Sequence, residues 1–170
     1  MIILSLGSNL PSKFGDRFEN LICAISFLEK GGAKIIKKSS FFETPSYPDK
    51  TNPKYINIII SINANLSVLE LIQLIISTEE KFERKRIKKN EPRTCDIDII
   101  DFKKEILNFK YKKSDFSIPH IELSKRNFVL YPIKEILPDW KHPKTKESVD
   151  SLIQKLSDED RKSILKIRKN

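Results

Sequence analysis

The sequence predicts an α/β domain, an antiparallel sheet with flanking helices in the split βαβ arrangement of ferredoxin-like folds. Three observations carry that reading. Apolar, β-branched-rich runs near residues 2–6, 33–44, 55–66 and 95–100 are separated by two stretches of helical periodicity, 14–30 and 67–82, giving the order strand, helix, strand, strand, helix, strand. Hydrophobic residues make up 39% and charged residues 32% of the chain, a globular balance that excludes wholesale disorder and collagen-like repeats. At 170 residues, without an internal repeat or low-complexity linker, residues 1–170 are expected to form a single domain, with a frayed helical tail at 158–170.

Each element has a local cause. Ile2-Ile3-Leu4-Ser5-Leu6 is a short apolar strand that runs into the turn-forming Gly7-Ser8-Asn9-Leu10-Pro11. Phe18, Leu21, Ile22, Ile25 and Leu28 recur at helical spacing, and Gly31-Gly32 stops the helix. Ala33 to Thr44 reads as one strand, Pro45 to Pro53 as a loop with three prolines, and Tyr55 to Leu66 as a strand antiparallel to the first. Ser67 followed by Glu70 is a capping-box spacing for a helix whose apolar face is Leu69, Ile72, Ile75 and Ile76. The basic stretch 84–94 reads as a solvated loop, and Cys95 to Ile100 alternates with period two, as a strand with two different faces does. Beyond it, an edge strand at Glu105–Phe109 and short helices within Ser124–Leu137 and Ser148–Leu156 are expected, in an α/β sandwich with helices against one face of the sheet.

The net charge of +9 admits nucleic acid, an anionic membrane or a phosphate-rich small molecule as partner. Lysines are spread along the chain, as on a solvated surface, whereas Arg84, Arg86, Arg93 and Arg126 fall within one stretch, and Arg is the side chain that forks onto phosphate oxygens. Cys23 and Cys95 lie far apart without a CxxC partner, so two reduced thiols are expected. The opening MIILSLGSN fits neither a signal peptide nor a membrane span, which predicts a cytoplasmic chain.

Asp96 and Asp98, two apart on a strand, place two carboxylates on one face, and like charges that close call for a cation. Hard oxygen donors with room for water and substrate phosphates suit Mg²⁺. Pro92-Arg93-Thr94 leads directly into the pair, so a cationic arm and a metal-binding strand are covalently adjacent. That combination points to phosphoryl transfer, where positioning and charge neutralisation do most of the catalysis. No GxxxxGK[ST] loop, GxGxxG or Ser-His-Asp grouping is present. His120 could donate to phosphate, while His142 is expected to pack on the surface.

With these residues in view the chain resembles the hydroxymethyl-dihydropterin pyrophosphokinases of folate biosynthesis. The shared segments are Gly7-Ser8-Asn9-Leu10, Ser39 to Pro45, Pro53 to Asn57, Glu79, Arg84-Lys85-Arg86, Pro92 to Ile99, Ile118-Pro119-His120, Arg126 to Leu130 and Glu135 to Pro138. The resemblance implies transfer of the terminal pyrophosphate of ATP to the hydroxymethyl group of the reduced pterin, with release of AMP. It implies two Mg²⁺ ions on Asp96 and Asp98, and Arg84 and Arg93 arriving on a closing loop. It assigns Thr44, Pro45, Tyr47, Tyr55, Asn57, Asp96 and Phe128 to the pterin, with Tyr55 and Phe128 sandwiching the ring. Glu79, Arg86, Arg93, Ile99, His120 and Arg126 fall to ATP. The expected partners are thus small molecules, with no nucleic acid or membrane, and the chain is expected to be monomeric.

The chain departs from the family pattern at Asn90-Glu91, where Trp-Gly is common, and at Tyr47, Asp115 and Ile121. Weaker nucleotide affinity is expected, since Asp115 replaces a basic residue. Two other readings fit less well. An RNA-binding sheet would need aromatics where the 95–101 strand offers Asp96 and Asp98. A nucleotidyl transferase would share the metals but not Thr44-Pro45, Tyr55, Asn57 and Phe128.

Overall fold

The computed structural model describes residues 1–83, 91–111 and 114–169. Strand β1 (Ile2–Ser8) is followed by helix α1 (Arg17–Lys30), strands β2 (Lys34–Lys38), β3 (Phe41–Thr44) and β4 (Tyr55–Asn63), helix α2 (Val68–Lys81) and strand β5 (Asp96–Phe102). The hairpin β6 (Leu107–Tyr111) and β7 (Ser114–Ile118), helices α3 (Asn127–Ile136), α4 (Val149–Gln154) and α5 (Asp158–Lys162), and strand β8 (Leu165–Ile167) complete the chain. The strand order β5-β1-β4-β3-β8, with β2 also on β4, puts β1 and β4 at the centre of an antiparallel sheet. That is the split βαβ order expected from the sequence.

Both main helices begin at a capping box, at the expected Ser67 for α2 and at Asp16, which the sequence reading did not single out, for α1. Asp16 and Ser67 accept backbone N–H groups of their first turns, and Glu19 and Glu70 answer reciprocally. The apolar faces of α1 and α2 cover one face of the sheet, burying Leu4, Leu6, Ile58, Ile60, Ile97 and Ile99. The opposite face is covered as well: Ile3, Ile59 and Ile100 pack under Val129, Leu130, Ile133, Trp140 and Leu152. Helices therefore lie on both faces rather than one, which is why β4 is buried along nearly its whole length instead of alternating.

Three further expectations are corrected. The single strand at Ala33–Thr44 is two, because the pairing breaks at Ser39 and Ser40; there Ser39 Oγ accepts from Ile59 N at 3.0 Å and Ser40 bonds Glu135. The expected edge strand at Glu105–Phe109 starts two residues later and pairs with β7 as a separate hairpin. The C-terminal segment is not a frayed helical tail: Ser157 caps α5, and β8 joins the main sheet by pairing with β3.

His142 is buried rather than on the surface, its Nδ1 accepting from Lys144 N and Thr145 N, both at 3.2 Å. Burial, with Lys144 and Lys146, holds its pKa below the ordinary 6.5, against the pull of Glu147 and Asp101. The unfolded chain therefore binds the proton more readily. Stability contributed by neutral His142 is complete above about pH 6.5 and is lost as pH falls toward the folded pKa. Urea midpoints measured from pH 7.5 to 5.5 are expected to fall in the wild-type chain and to fall less in His142→Gln; equal slopes would refute the assignment.

Candidate functional site

The site is built around a missing side chain. Gly7 on β1 pairs with Asn57 on β4 and with Asp96 on β5, so Asn57 and Asp96 flank it on the same face of the sheet. A Cβ at Gly7 would lie 3.1 Å from Asn57 Oδ1 and 3.6 Å from Tyr55 Cδ1, so glycine keeps the floor between them open. Asn57 Nδ2 donates to Thr44 Oγ1 at 3.0 Å across the β3–β4 pairing, and Phe42, opposite Asn57, belongs to this face too. Phe41 points the other way and meets Phe18 edge-on at 5.1 Å, as the alternation requires.

On the β5 side, Asp96 and Asp98 share that face and both remain part-exposed. Arg93 Nη1 donates to Asp96 Oδ2 at 2.9 Å, and Arg126 Nη1 to Asp98 Oδ2 at 2.8 Å. The Arg126 guanidinium also lies 5.5 Å from the Phe128 ring centroid, which ties that aromatic to the charged half of the site. His120 sits among Asp98, Asp96 and Arg126, and burial lowers its pKa from 6.5. Its Nδ1 accepts from Glu122 N at 3.0 Å, so in the neutral ring the proton sits on Nε2 as a donor.

Not every expected site residue lies on this face. Ile99 is buried among the residues under α1 and α2, because β5 alternates. Glu79 is buried on α2 and accepts the backbone N–H of Ile97 at 2.8 Å, so it fastens the edge strand from the helix side. Tyr47 is 83% exposed on the Pro45–Pro53 loop, and Pro45 is half-buried beside Thr44. Asp115, exposed on β7, faces Lys110 at 3.9 Å. Arg84 and Arg86 lie outside the described residues.

Two asparagines were not singled out by sequence reasoning. Asn9 is buried and joins two loops: its Nδ2 donates to Ser46 Oγ at 3.3 Å and Pro53 O at 3.0 Å, while its Oδ1 receives Arg93 N at 2.6 Å. Asn20 is fully buried on α1, donating to Ser8 Oγ, Leu10 O and Thr94 O and accepting from Ser12 Oγ. The signal for Asn20 was present, a polar residue beside Leu21 on an apolar helix face.

A family model described as 7,8-dihydro-6-hydroxymethylpterin-pyrophosphokinase (HPPK) matches residues 3–138. The chain belongs to this family. It is accordingly a pyrophosphokinase, a diphosphotransferase of folate biosynthesis with ATP as co-substrate. The 2-amino-4-hydroxy-6-hydroxymethyldihydropteridine pyrophosphokinase of Synechocystis is 32% identical over 155 residues, 91% of this chain and 75% of that protein. The protein of the same name from Aquifex aeolicus is 34% identical over 142 residues, 84% of this chain and 83% of its own length. The folic acid synthesis protein fol1 of Schizosaccharomyces pombe is 31% identical over 154 residues, 90% of this chain but only 20% of that protein. Among solved structures, Plasmodium falciparum HPPK-DHPS with STZ-DHP superposes with a TM-score of 0.71 at 16% identity, over 91% of this chain and 42% of that one. The fold is thus shared with one part of a longer chain.

Proposed function

We propose that the chain moves the terminal pyrophosphate of ATP to the hydroxymethyl oxygen of 6-hydroxymethyl-7,8-dihydropterin by in-line attack on the β-phosphorus. The new oxygen–phosphorus bond forms at the pterin as the bond to the α-phosphate oxygen breaks; the hydroxyl proton passes to water, and AMP leaves. The observation that carries this reading is the bare Gly7 floor between Asn57 and Asp96, which sets a hydrogen-bonding amide and a carboxylate pair side by side. Neighbouring strands run about 4.8 Å apart, so roughly 10 Å separates the Asn57 and Asp96 backbones, enough for one flat heterocycle.

Thr44, Pro45, Tyr47, Tyr55, Asn57 and Phe128 would form the pterin half, by ring stacking and a few fixed hydrogen bonds. Arg93, Arg126 and His120 would receive the phosphate oxygens, joined by Arg84 and Arg86. Ile99 would contribute only the backbone of its edge strand, and Glu79 would act on the nucleotide side by holding that strand in place.

Asp96 and Asp98 fit Mg²⁺. They supply hard oxygen donors on one face, and each commits Oδ2 to an arginine, whereas a carboxylate offers about four lone-pair sites. Two carboxylates supplemented by water and substrate phosphates are the usual donor set for this ion. Bound there, two Mg²⁺ ions would neutralise the triphosphate and draw charge from the β-phosphorus. Arg93 and Arg126, each already beside a site carboxylate, would stand next to the phosphate oxygens.

The test separates nucleotide products after incubation with ATP, Mg²⁺ and the dihydropterin. AMP that appears only with both pterin and metal is expected. ADP, or inorganic pyrophosphate as a product, would replace this reading with phosphoryl or nucleotidyl transfer, and AMP formed without pterin would make the chain a hydrolase.

A further inference from the structure

Residues 139–170 lie beyond the stretch matched by the family, yet they return to the Asn57 end of the sheet. Strand β8 pairs with the outer edge of β3, Phe41 with Ile167, Phe42 with Lys166 and Glu43 with Leu165. Phe42 faces Asn57, and the next residue but one is Thr44, so β8 braces the wall that carries both. The turn after α5 is fastened to a second wall. Asn127, a buried residue between Arg126 and Phe128, donates from Nδ2 to Asp160 O at 2.6 Å and to Ser163 Oγ at 3.0 Å. Ser163 Oγ in turn donates to Asp160 O at 3.0 Å, closing a small ring of bonds.

Other links along this segment weigh less. Lys50 pairs with Glu159 and Lys166 with Glu135, but these lysines and Glu159 are more than half exposed, and exposed ion pairs add little. The backbone pairing and the buried amide therefore dominate the attachment.

Resting on the pterin-site reading above, we propose that residues 158–167 form a strap that positions the pterin half of the site, with Asn127 as its fastening. Through β3 the strap fixes Thr44 and Phe42, and through the first turn of α3 it fixes Phe128. Walls held before the heterocycle arrives spare the ordering cost that binding would otherwise carry. The carboxylate half needs no such help, because Asp96 and Asp98 stand on β5, paired to β1, and Arg126 has its own bond to Asp98. Asn127 is a positioning residue, and its signature is selectivity between the two substrates.

The test is Asn127→Asp in the full chain, an isosteric change whose carboxylate cannot donate to Asp160 O. Pterin KM is expected to rise about tenfold, with kcat and the KM for ATP within about threefold of wild type. A folded variant with unchanged pterin KM overturns the strap while leaving the function reading intact; a wild-type chain that makes no AMP overturns both. Should the variant not fold, hydrogen exchange of the wild-type chain decides. Added 6-hydroxymethyl-7,8-dihydropterin is expected to slow amide exchange at 164–167 as well as at Thr44 and Asn57, because coupling between two sites is reciprocal. Slowing at Thr44 and Asn57 alone overturns the proposal.

Discussion

Asp98→Ala is expected to lower pyrophosphoryl transfer by about a thousandfold or more while the chain stays folded. The change removes one of the two carboxylates proposed to hold Mg²⁺ and, with it, the partner of Arg126. Asp98 is part-exposed and its ion pair with Arg126 keeps contact with water, so its stability contribution is no more than about 1 kcal/mol. The expected result is a near-native thermal midpoint with single-turnover AMP release close to background. Asp98→Asn, which keeps shape and loses charge, is expected to be nearly as impaired. Activity within tenfold of wild type in either folded variant would remove Asp98 from the reaction, and global unfolding would make it a structural residue.

The neighbouring Asp101 gives the contrast. It belongs to the same strand and the same acidic run, yet it is buried, accepting from Trp140 Nε1 and Lys104 N. Simple alternation would put Asp101 with Ile97 and Ile99 under α1 and α2. A bulge opposite Ile3 and Leu4 shifts the register, so that Leu4 faces Ile99 and Ile3 faces Asp101, which brings Ile100 and Asp101 together onto the Trp140 side. Asp101 thus comes to share a face with Asp98 and differs from it in being covered by Trp140, which makes one carboxylate structural and leaves the other part-exposed in the site.

The bulge also marks the boundary of what the sequence could reveal. The element order, the Ser67–Glu70 capping box and the Asp96–Asp98 pair were legible because they depend on local spacing. The break at Ser39-Ser40, the bulge and the return of β8 to β3 were not, because each is fixed by a partner far along the chain. At three residues, Leu165-Lys166-Ile167, β8 is too short to carry a strand signature of its own and is recruited by the open edge of β3. Ile99 was assigned to the nucleotide by resemblance alone, and alternation on β5 leaves only its backbone for that purpose. Helices on both faces could not be inferred from α3, whose apolar residues say that a face is buried but not which surface covers it.

Asn20→Leu is expected to cost stability and activity together, although it puts a more apolar residue on an apolar helix face. By hydropathy alone the substitution should stabilise the chain, since Asn20 has no exposed surface. Its side chain, however, is the shared partner of four groups: the Ser8 and Ser12 hydroxyls and the Leu10 and Thr94 carbonyls. Leucine would leave these without that partner in a buried region, at about 1–3 kcal/mol for each group that cannot reach water, so a net loss of about 3 kcal/mol is expected. The groups released lie on residues 8–12 and at Thr94, beside Asn9 and Arg93, whose backbones hydrogen-bond each other at 3.0 Å. Loosening them moves Arg93 relative to Asp96, so kcat should fall even under conditions where the variant is fully folded. Chemical denaturation and steady-state assay of the same preparation test both parts. A midpoint at or above wild type would show that burial of leucine outweighs the lost bonds, and unchanged kcat in a destabilised variant would confine Asn20 to the fold.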